Sequence, residues 1–213
     1  MKRFDFVIVG SGIIGLTTAL AIKARRSNAK ILIIDKESQE AYHASGRNSG
    51  VLHAGFYYTA DSLKARFTVE GSKAMKAYVR AKGLKINECG KLVVANDEHE
   101  LGQLQELLKR GQRNGSNVRL IDEKEASDLE PNVKTYKQAL YSPDTASIDP
   151  KEVCRSIRND LLAIGVEFAY DTKYLGHEGD VIKTSIGEFE AGKLINCAGL
   201  YADKLAHDYG FGK

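Results

Sequence analysis

The stretch Phe4-Asp5-Phe6-Val7-Ile8-Val9-Gly10-Ser11-Gly12-Ile13-Ile14-Gly15 decides how the rest of the chain is read. Phe4 to Val9 is a short run of β-branched and aromatic residues, and it predicts a strand. Gly10, Gly12 and Gly15 then fall in the spacing GxGxxG, and the residues to about Arg26 read as a helix. In such a turn Gly10 supplies the tight backbone bend, Gly12 lets the main chain approach a pyrophosphate, and Gly15 lets helix and strand pack closely. The N–H groups at the start of the helix, Ile13 and Ile14 among them, face the phosphates with a partial positive charge. A second strand, Ile31 to Ile34, ends in Asp35, twenty residues after Gly15, where a carboxylate can accept a hydrogen bond from a ribose hydroxyl. Strand, glycine turn, helix, strand and acid together imply an α/β fold that binds a dinucleotide.

Composition sets the frame around this unit. The chain has 213 residues, 43% hydrophobic and 28% charged, with 3 Cys and 3 Pro, so it can bury a core and is neither disordered nor a disulfide-rich module. The net charge of +3 comes from 31 basic and 28 acidic residues spread along the sequence, which gives no footprint for a nucleic-acid partner. Cys89, Cys154 and Cys197 are far apart and lack the companions of a metal site, so no metal is expected. The apolar start, preceded by Lys2 and Arg3, is interrupted by Asp5 and glycines. It reads as the first strand and helix rather than a secretory signal, and a cytoplasmic location is expected.

The glycine turn alone does not separate NAD from FAD. An NAD-binding unit continues with further βα repeats, whereas Asp35 and Lys36 lead into a long irregular stretch, His43-Ala44-Ser45-Gly46-Arg47-Asn48-Ser49-Gly50-Val51-Leu52-His53-Ala54-Gly55. Small residues and exposed polar groups of this kind suit backbone contact with a large planar ligand, and a polar surface loop is the plainer alternative.

With its continuation to Tyr58 and Ser62-Leu63-Lys64-Ala65, this stretch resembles a signature of the FAD-dependent oxidoreductases of the D-amino-acid oxidase type, most closely the L-2-hydroxyglutarate dehydrogenase/oxidase branch. Cys89-Gly90-Lys91-Leu92 resembles a further segment of that branch, and Asn196-Cys197-Ala198-Gly199-Leu200-Tyr201-Ala202-Asp203 its second flavin-contacting turn. The resemblance implies a Rossmann-like FAD-binding domain with an inserted α+β portion of a substrate domain, cut short at the C-terminus. The first flavin-domain segment is expected at 1–61, the partial substrate domain at 62–149 and the second flavin-domain segment at 150–213. FAD is the implied cofactor. The residues implied to hold it are Gly10, Gly12, Ile13, Ile14, Gly15, Asp35, Lys36, His43, Ser45, Gly46, Arg47, Asn48, Ser49, Gly50, Tyr174, Cys197, Ala198 and Gly199. Tyr174 stands where the family has a valine whose backbone meets adenine. His43 lies in a short segment similar to one that carries a covalent flavin link in dimethylglycine and sarcosine dehydrogenases.

Further elements follow from pattern. Helices are expected at Ser62 to Ala81 and Glu98 to Asn114, with short strands near Lys91 to Ala95 and Gln138 to Tyr141. Asp149, Pro150 and Glu152 open another helix, whose apolar stripe is Val153, Ile157, Leu161 and Ile164 and whose end is Gly165. A strand from Val166 to Ala169 follows.

The implied reaction is oxidation of a small 2-hydroxy acid, L-2-hydroxyglutarate first, to the 2-oxo acid. An alcohol must lose its hydroxyl proton as the carbonyl forms, so a base is needed beside the flavin, and His53 is the candidate. An amino acid or glycerol 3-phosphate is the alternative substrate. Electrons could pass to oxygen, to another flavoprotein or to a quinone, which would bring peripheral membrane contact. The remainder of the family fold is expected on a separate chain, without which this one would bind FAD weakly and not turn over. The competing readings are an inactive product that retains only dinucleotide binding and an NAD-binding regulatory module.

Overall fold

The computed structural model describes residues 1–212. In chain order the elements are β1 (Lys2–Val9), α1 (Ile13–Arg25), β2 (Ile31–Ile34), β3 (Val51–Leu52), α2 (Leu63–Ala81), β4 (Ile86–Asn87) and β5 (Lys91–Val94). Then come α3 (Glu98–Arg113), β6 (Arg119–Asp122), α4 (Glu123–Leu129), β7 (Gln138–Ser142), β8 (Ala146–Ile148), α5 (Pro150–Ala163) and β9 (Glu167–Ala169). The chain finishes with β10 (Tyr174–Glu178), β11 (Val181–Thr184), β12 (Gly187–Asn196) and α6 (Ala202–Asp208). The fold class is mixed α/β. Two compact units emerge, one made of Met1–Asn48 with the chain from Pro150 onward, the other of Ser49–Asp149. Residues 49–61 pack with the second unit.

The first unit is built on a six-stranded sheet in the order β10-β11-β12-β1-β2-β9. β12, β1, β2 and β9 are parallel, and the hairpin of β10 and β11 extends the sheet antiparallel beyond β12. β2 reads Ile-Leu-Ile-Ile and is buried throughout, as an inner parallel strand covered on both faces must be. On one face Phe4, Val7, Val9, Leu32 and Ile34 pack with Ile182, Ala191 and Leu205 of α6. By strand alternation Ile8, Ile31 and Ile33 turn the other way. α1 lies on that side, because its Gly15 sits against the Ile8 side chain, and Leu16 and Ala19 of the same helix are fully buried. The expected stripe of α5 is buried at Val153, Ile157 and Leu161, but Ile164 lies past the helix and is exposed. Each fully buried Ile or Leu contributes roughly 1.5–3 kcal/mol, so this two-sided packing is the main source of the unit's stability.

The chain leaves β1 on the side of β2, continues to β9, and returns across the sheet to β12 on the other flank of β1. The carboxyl ends of β1 and β12 therefore border the place where the strand order reverses, which in open α/β sheets is where ligands bind.

The second unit carries two three-stranded antiparallel sheets, β3-β8-β4 and β5-β7-β6. Its helices start at side-chain caps: Ser62 accepts from the Ala65 N–H at 3.1 Å, Asp97 from Glu100 at 3.0 Å and Asp122 from Glu125 at 2.8 Å. Glu100 reaches back to the Asn96 N–H at 2.7 Å, so both sides of that helix start are satisfied. Phe56, Ala95, Leu104, Val118 and Leu140 form its larger core. Among the described residues no helix is long and apolar enough to cross a membrane.

Candidate dinucleotide-binding site

The glycine turn between β1 and α1 is fixed by contacts that no side chain would allow. Gly10 has φ +109, its N–H donates to the Ile34 carbonyl at 2.8 Å, and a Cβ there would overlap the Cys197 carbonyl. A Cβ on Gly15 would overlap the Gly10 carbonyl oxygen. A Cβ on Gly12 would stand 3.0 Å from the Ser45 hydroxyl. The turn thus presents bare backbone, and the helix behind it has no acidic residue in its first turn to oppose an anion.

Ser45 sits at this helix start, its hydroxyl accepting from the Ile13 N–H at 3.0 Å. A short 3-10 turn, Ala44–Gly46, carries Ser45, and Asn48 holds that turn by donating from Nδ2 to the Ala44 and Ser45 carbonyls at 3.0 and 2.9 Å. The loop is tied to the glycine turn where Ala41 donates its N–H to the Ser11 carbonyl at 3.3 Å. Gly46 closes against the Ala41 carbonyl, and Arg47 lies over the Tyr42 ring at 4.9 Å.

Asp35, at the end of β2, accepts at Oδ2 from both the N–H and the hydroxyl of Ser11, at 2.7 and 2.6 Å, and at Oδ1 from the Glu37 N–H at 3.0 Å. A carboxylate offers roughly four acceptor positions, so this one is oriented toward the turn and keeps capacity for a further donor. Just beyond it Lys36 pairs closely with Glu37, which also bonds the His43 Nε2 at 2.7 Å. These contacts hold the Glu37 carboxyl below its usual range, the Lys36 bond being the largest cause, and raise Lys36 through the same bond. The Lys36 ammonium also lies 4.7 Å from the centre of the Tyr201 ring.

The second glycine turn closes the site. The Cys197 N–H donates to the Val9 carbonyl at 2.9 Å, Ala198 donates to the Asn196 side chain at 3.2 Å, and Gly199 has φ +58. Burial pushes the Cys197 thiol up, opposed by a hydrogen bond to Thr18, and this disfavours the thiolate.

Of the residues singled out from sequence, Gly10, Gly12, Ile13, Gly15, Asp35, Ser45 and Cys197 are brought together around the end of β1. Lys36 and His43 form a side cluster with Glu37, and Ile14 is exposed beside the turn. Tyr174 begins β10, and its hydroxyl goes to Asp208 at 2.5 Å. Ser49, Gly50 and His53 belong to the second unit. There His53 follows β3, and burial of its ring, with the charge of Lys91 second, lowers its pKa. Ser11, Glu37 and Asp208 carry contacts that sequence reasoning passed over. Ser11 fills a variable position of the motif, and no spacing rule marks the other two.

The backbone cradle, a helix start with no acidic residue in its first turn and the oriented carboxylate suit the pyrophosphate and ribose of an adenine dinucleotide. Residues 5–212 match the family described as FAD dependent oxidoreductase (DAO). The chain is 38% identical over 207 residues to an L-2-hydroxyglutarate dehydrogenase of Escherichia coli O17:K52:H18, covering 95% of this chain and 49% of that protein. It is 34% identical over 222 residues to the mitochondrial L-2-hydroxyglutarate dehydrogenase of Homo sapiens, covering 96% and 48%. It superposes with a TM-score of 0.87 and 28% identity on dithionite-reduced L-α-glycerophosphate oxidase of Mycoplasma pneumoniae with FAD bound, over 97% of this chain and 57% of that one. The chain spans about half the length of the curated relatives it matches. Turn, acid and sheet order agree with this likeness along nearly the whole sequence, and the chain belongs to the FAD dependent oxidoreductase (DAO) family.

Proposed function

We propose that this chain supplies the FAD-holding part of an oxidoreductase that converts a small 2-hydroxy acid, L-2-hydroxyglutarate first, to the 2-oxo acid. The observation that carries the proposal is the joint geometry of Gly10, Gly15, Ser45 and Asp35 at the end of β1, together with identity to dehydrogenases of that substrate. Bound FAD supplies the two-electron acceptor that takes the hydride from the C–H carbon.

In this reading the Ile14 N–H and the bare backbone at Gly10, Gly12 and Gly15 receive the pyrophosphate, and the Ile13 N–H acts through the Ser45 hydroxyl to which it donates. Asp35 accepts from the ribose, with Lys36 beside it. Ser45, held by Asn48, hydrogen-bonds the phosphates, while Gly46, Arg47, Ser49 and Gly50 border the rest of the cofactor. Ala198 and Gly199, next to Cys197, offer backbone on the opposite side, and the Tyr174 main chain meets adenine. His43 stands at the ribose end. His53 takes the hydroxyl proton on a ring nitrogen as the hydride leaves carbon, so the alcohol loses two electrons and two hydrogens in balance. Its lowered pKa keeps the imidazole neutral, and so able to accept, at neutral pH. Electrons leave to oxygen, a quinone or another flavoprotein.

Glycerol 3-phosphate is the second substrate reading, favoured by the 28% identity to a glycerophosphate oxidase. The test is dye reduction by the FAD-loaded, catalytically competent enzyme containing this chain, with L-2-hydroxyglutarate, its D enantiomer, glycerol 3-phosphate and glycine. The expected result is fastest reduction with L-2-hydroxyglutarate. Faster turnover of glycine or glycerol 3-phosphate would overturn the substrate assignment.

A further inference from the structure

The second glycine turn is followed by α6, and the far end of that helix carries a cluster the site described above does not use. Asp208 Oδ2 accepts from the Tyr174 hydroxyl at 2.5 Å and from His177 Nδ1 at 2.8 Å. Both donors lie on β10, at the outer edge of the sheet. The His177 ring stacks on Tyr209 with centroids 3.7 Å apart and planes inclined by 5°. Two side chains of an edge strand thus converge on one carboxylate of α6, and the residue after it covers the ring of the second donor.

The opposite end of α6 joins the turn directly. Asn196 Nδ2 donates to the Ala202 carbonyl at 2.7 Å, and its Oδ1 accepts from Ala198 at 3.2 Å. Between these ends Leu205 is buried in the sheet core. A seven-residue helix has little stability of its own, so its position depends on what grips it. Leu205 gives a non-directional grip, and the bonds at Asp208 fix the direction of the helix axis.

We propose that Asp208 is a positioning residue for the cofactor site: by clamping α6 to Tyr174 and His177 it sets the placement of the turn Cys197–Tyr201 against Gly10. The cofactor part of this inference rests on the dinucleotide reading above, while the positioning part concerns the turn itself. Against a carboxylate oxygen, His177 Nδ1 is the donor of this contact. The other groups facing it are Tyr209, and Asp180 acting on Tyr209. The bonds from Tyr174 and His177 hold the Asp208 carboxyl low, which keeps it ionised.

The test uses hydrogen exchange and FAD titration on the purified chain as Asp208→Asn, Asp208→Glu and Tyr174→Phe, with Lys183→Ala as a control on the same hairpin, outside the clamp. In Asp208→Asn the amides of Ala198–Tyr201 should exchange at least about tenfold faster and FAD should bind about tenfold more weakly, the loss of roughly one charge-assisted hydrogen bond. Tyr174→Phe should show a smaller effect in the same amides, Asp208→Glu should recover part of it, and Lys183→Ala should show none. Faster exchange confined to residues 202–208, with the turn unchanged, would overturn the proposal and leave Asp208 a local helix anchor. If the unsubstituted chain fails to bind FAD, the dinucleotide reading falls, and the turn amides still decide the clamp. Should Asp208→Asn not fold, Tyr174→Phe decides it.

Discussion

Asp35 and Ser11 form a double contact: one carboxylate oxygen receives both the backbone N–H and the hydroxyl of a residue inside the glycine turn, at 2.7 and 2.6 Å. The end of β2 is thereby locked to the end of β1, and the proposed ribose acceptor is aimed before any ligand arrives. Ser11 is fully buried, so Ser11→Ala removes a bond to a charged group without opening a large cavity. The expected loss is about 1.5–3 kcal/mol in urea unfolding. A loss below about 0.5 kcal/mol would show that the hydroxyl does not orient Asp35.

The same substitution should change sign with position along the chain. Gly15→Ala gains helix propensity of about 1 kcal/mol but drives a methyl into the Gly10 carbonyl, and overpacking of this kind costs roughly 1–3 kcal/mol or more. Gly71→Ala in α2 and Gly102→Ala in α3 meet no atom within 4 Å, so only the propensity gain remains. Thermal unfolding should rank Gly71→Ala and Gly102→Ala above the parent chain and Gly15→Ala below it.

His53 as proton acceptor is active when neutral, so kcat/KM should rise with pH through the histidine's depressed pKa and be level by neutral pH. Burial is the larger cause of the depression and Lys91 the smaller, so Lys91→Gln should move the midpoint upward, toward the ordinary value near 6.5. His53→Ala should lower kcat by about 10²–10⁴ in the competent enzyme. Unchanged turnover would return His53 to a packing role.

Thiol reactivity separates the three cysteines. Cys89 is exposed, Cys154 is buried with its thiol pushed up to about 11, and Cys197 is half-buried and also raised. Titration with a disulfide reagent should find one fast thiol in the native chain and three after denaturation. Fast modification of Cys197 would contradict the packed turn.

His43 bonds Glu37, two residues past Asp35, which places it at the proposed ribose end. Denaturation should therefore release the flavin, and a fluorescent band on a denaturing gel would instead make His43 the linkage.

The parts of the fold legible in the sequence were those written over short separations. β1, the glycine turn, α1, β2 and Asp35 stand within thirty-five residues, α2 and α3 read as helical stretches, and α5 announces itself by its cap and apolar stripe. The β10–β11 hairpin was not legible, because its strands mix polar residues and Gly176 shifts the register after Tyr174. The pairing of β1 with β12 joins residues nearly the whole chain apart, where no local pattern reaches. The Ser11–Asp35 and Tyr174–Asp208 contacts join residues only 24 and 34 positions apart, and they were hidden for a different reason. Polar residues that satisfy one another across a fold look, in sequence, like any solvated residue.

Separate titrations of the purified chain with FAD and with NADH decide whether the site at the end of β1 holds FAD. The expected result is saturable quenching of flavin fluorescence, an FAD affinity at least about tenfold above that for NADH, and loss of most of the FAD binding in Asp35→Asn. NADH binding as tightly as FAD, or no saturable FAD binding at all, would contradict it.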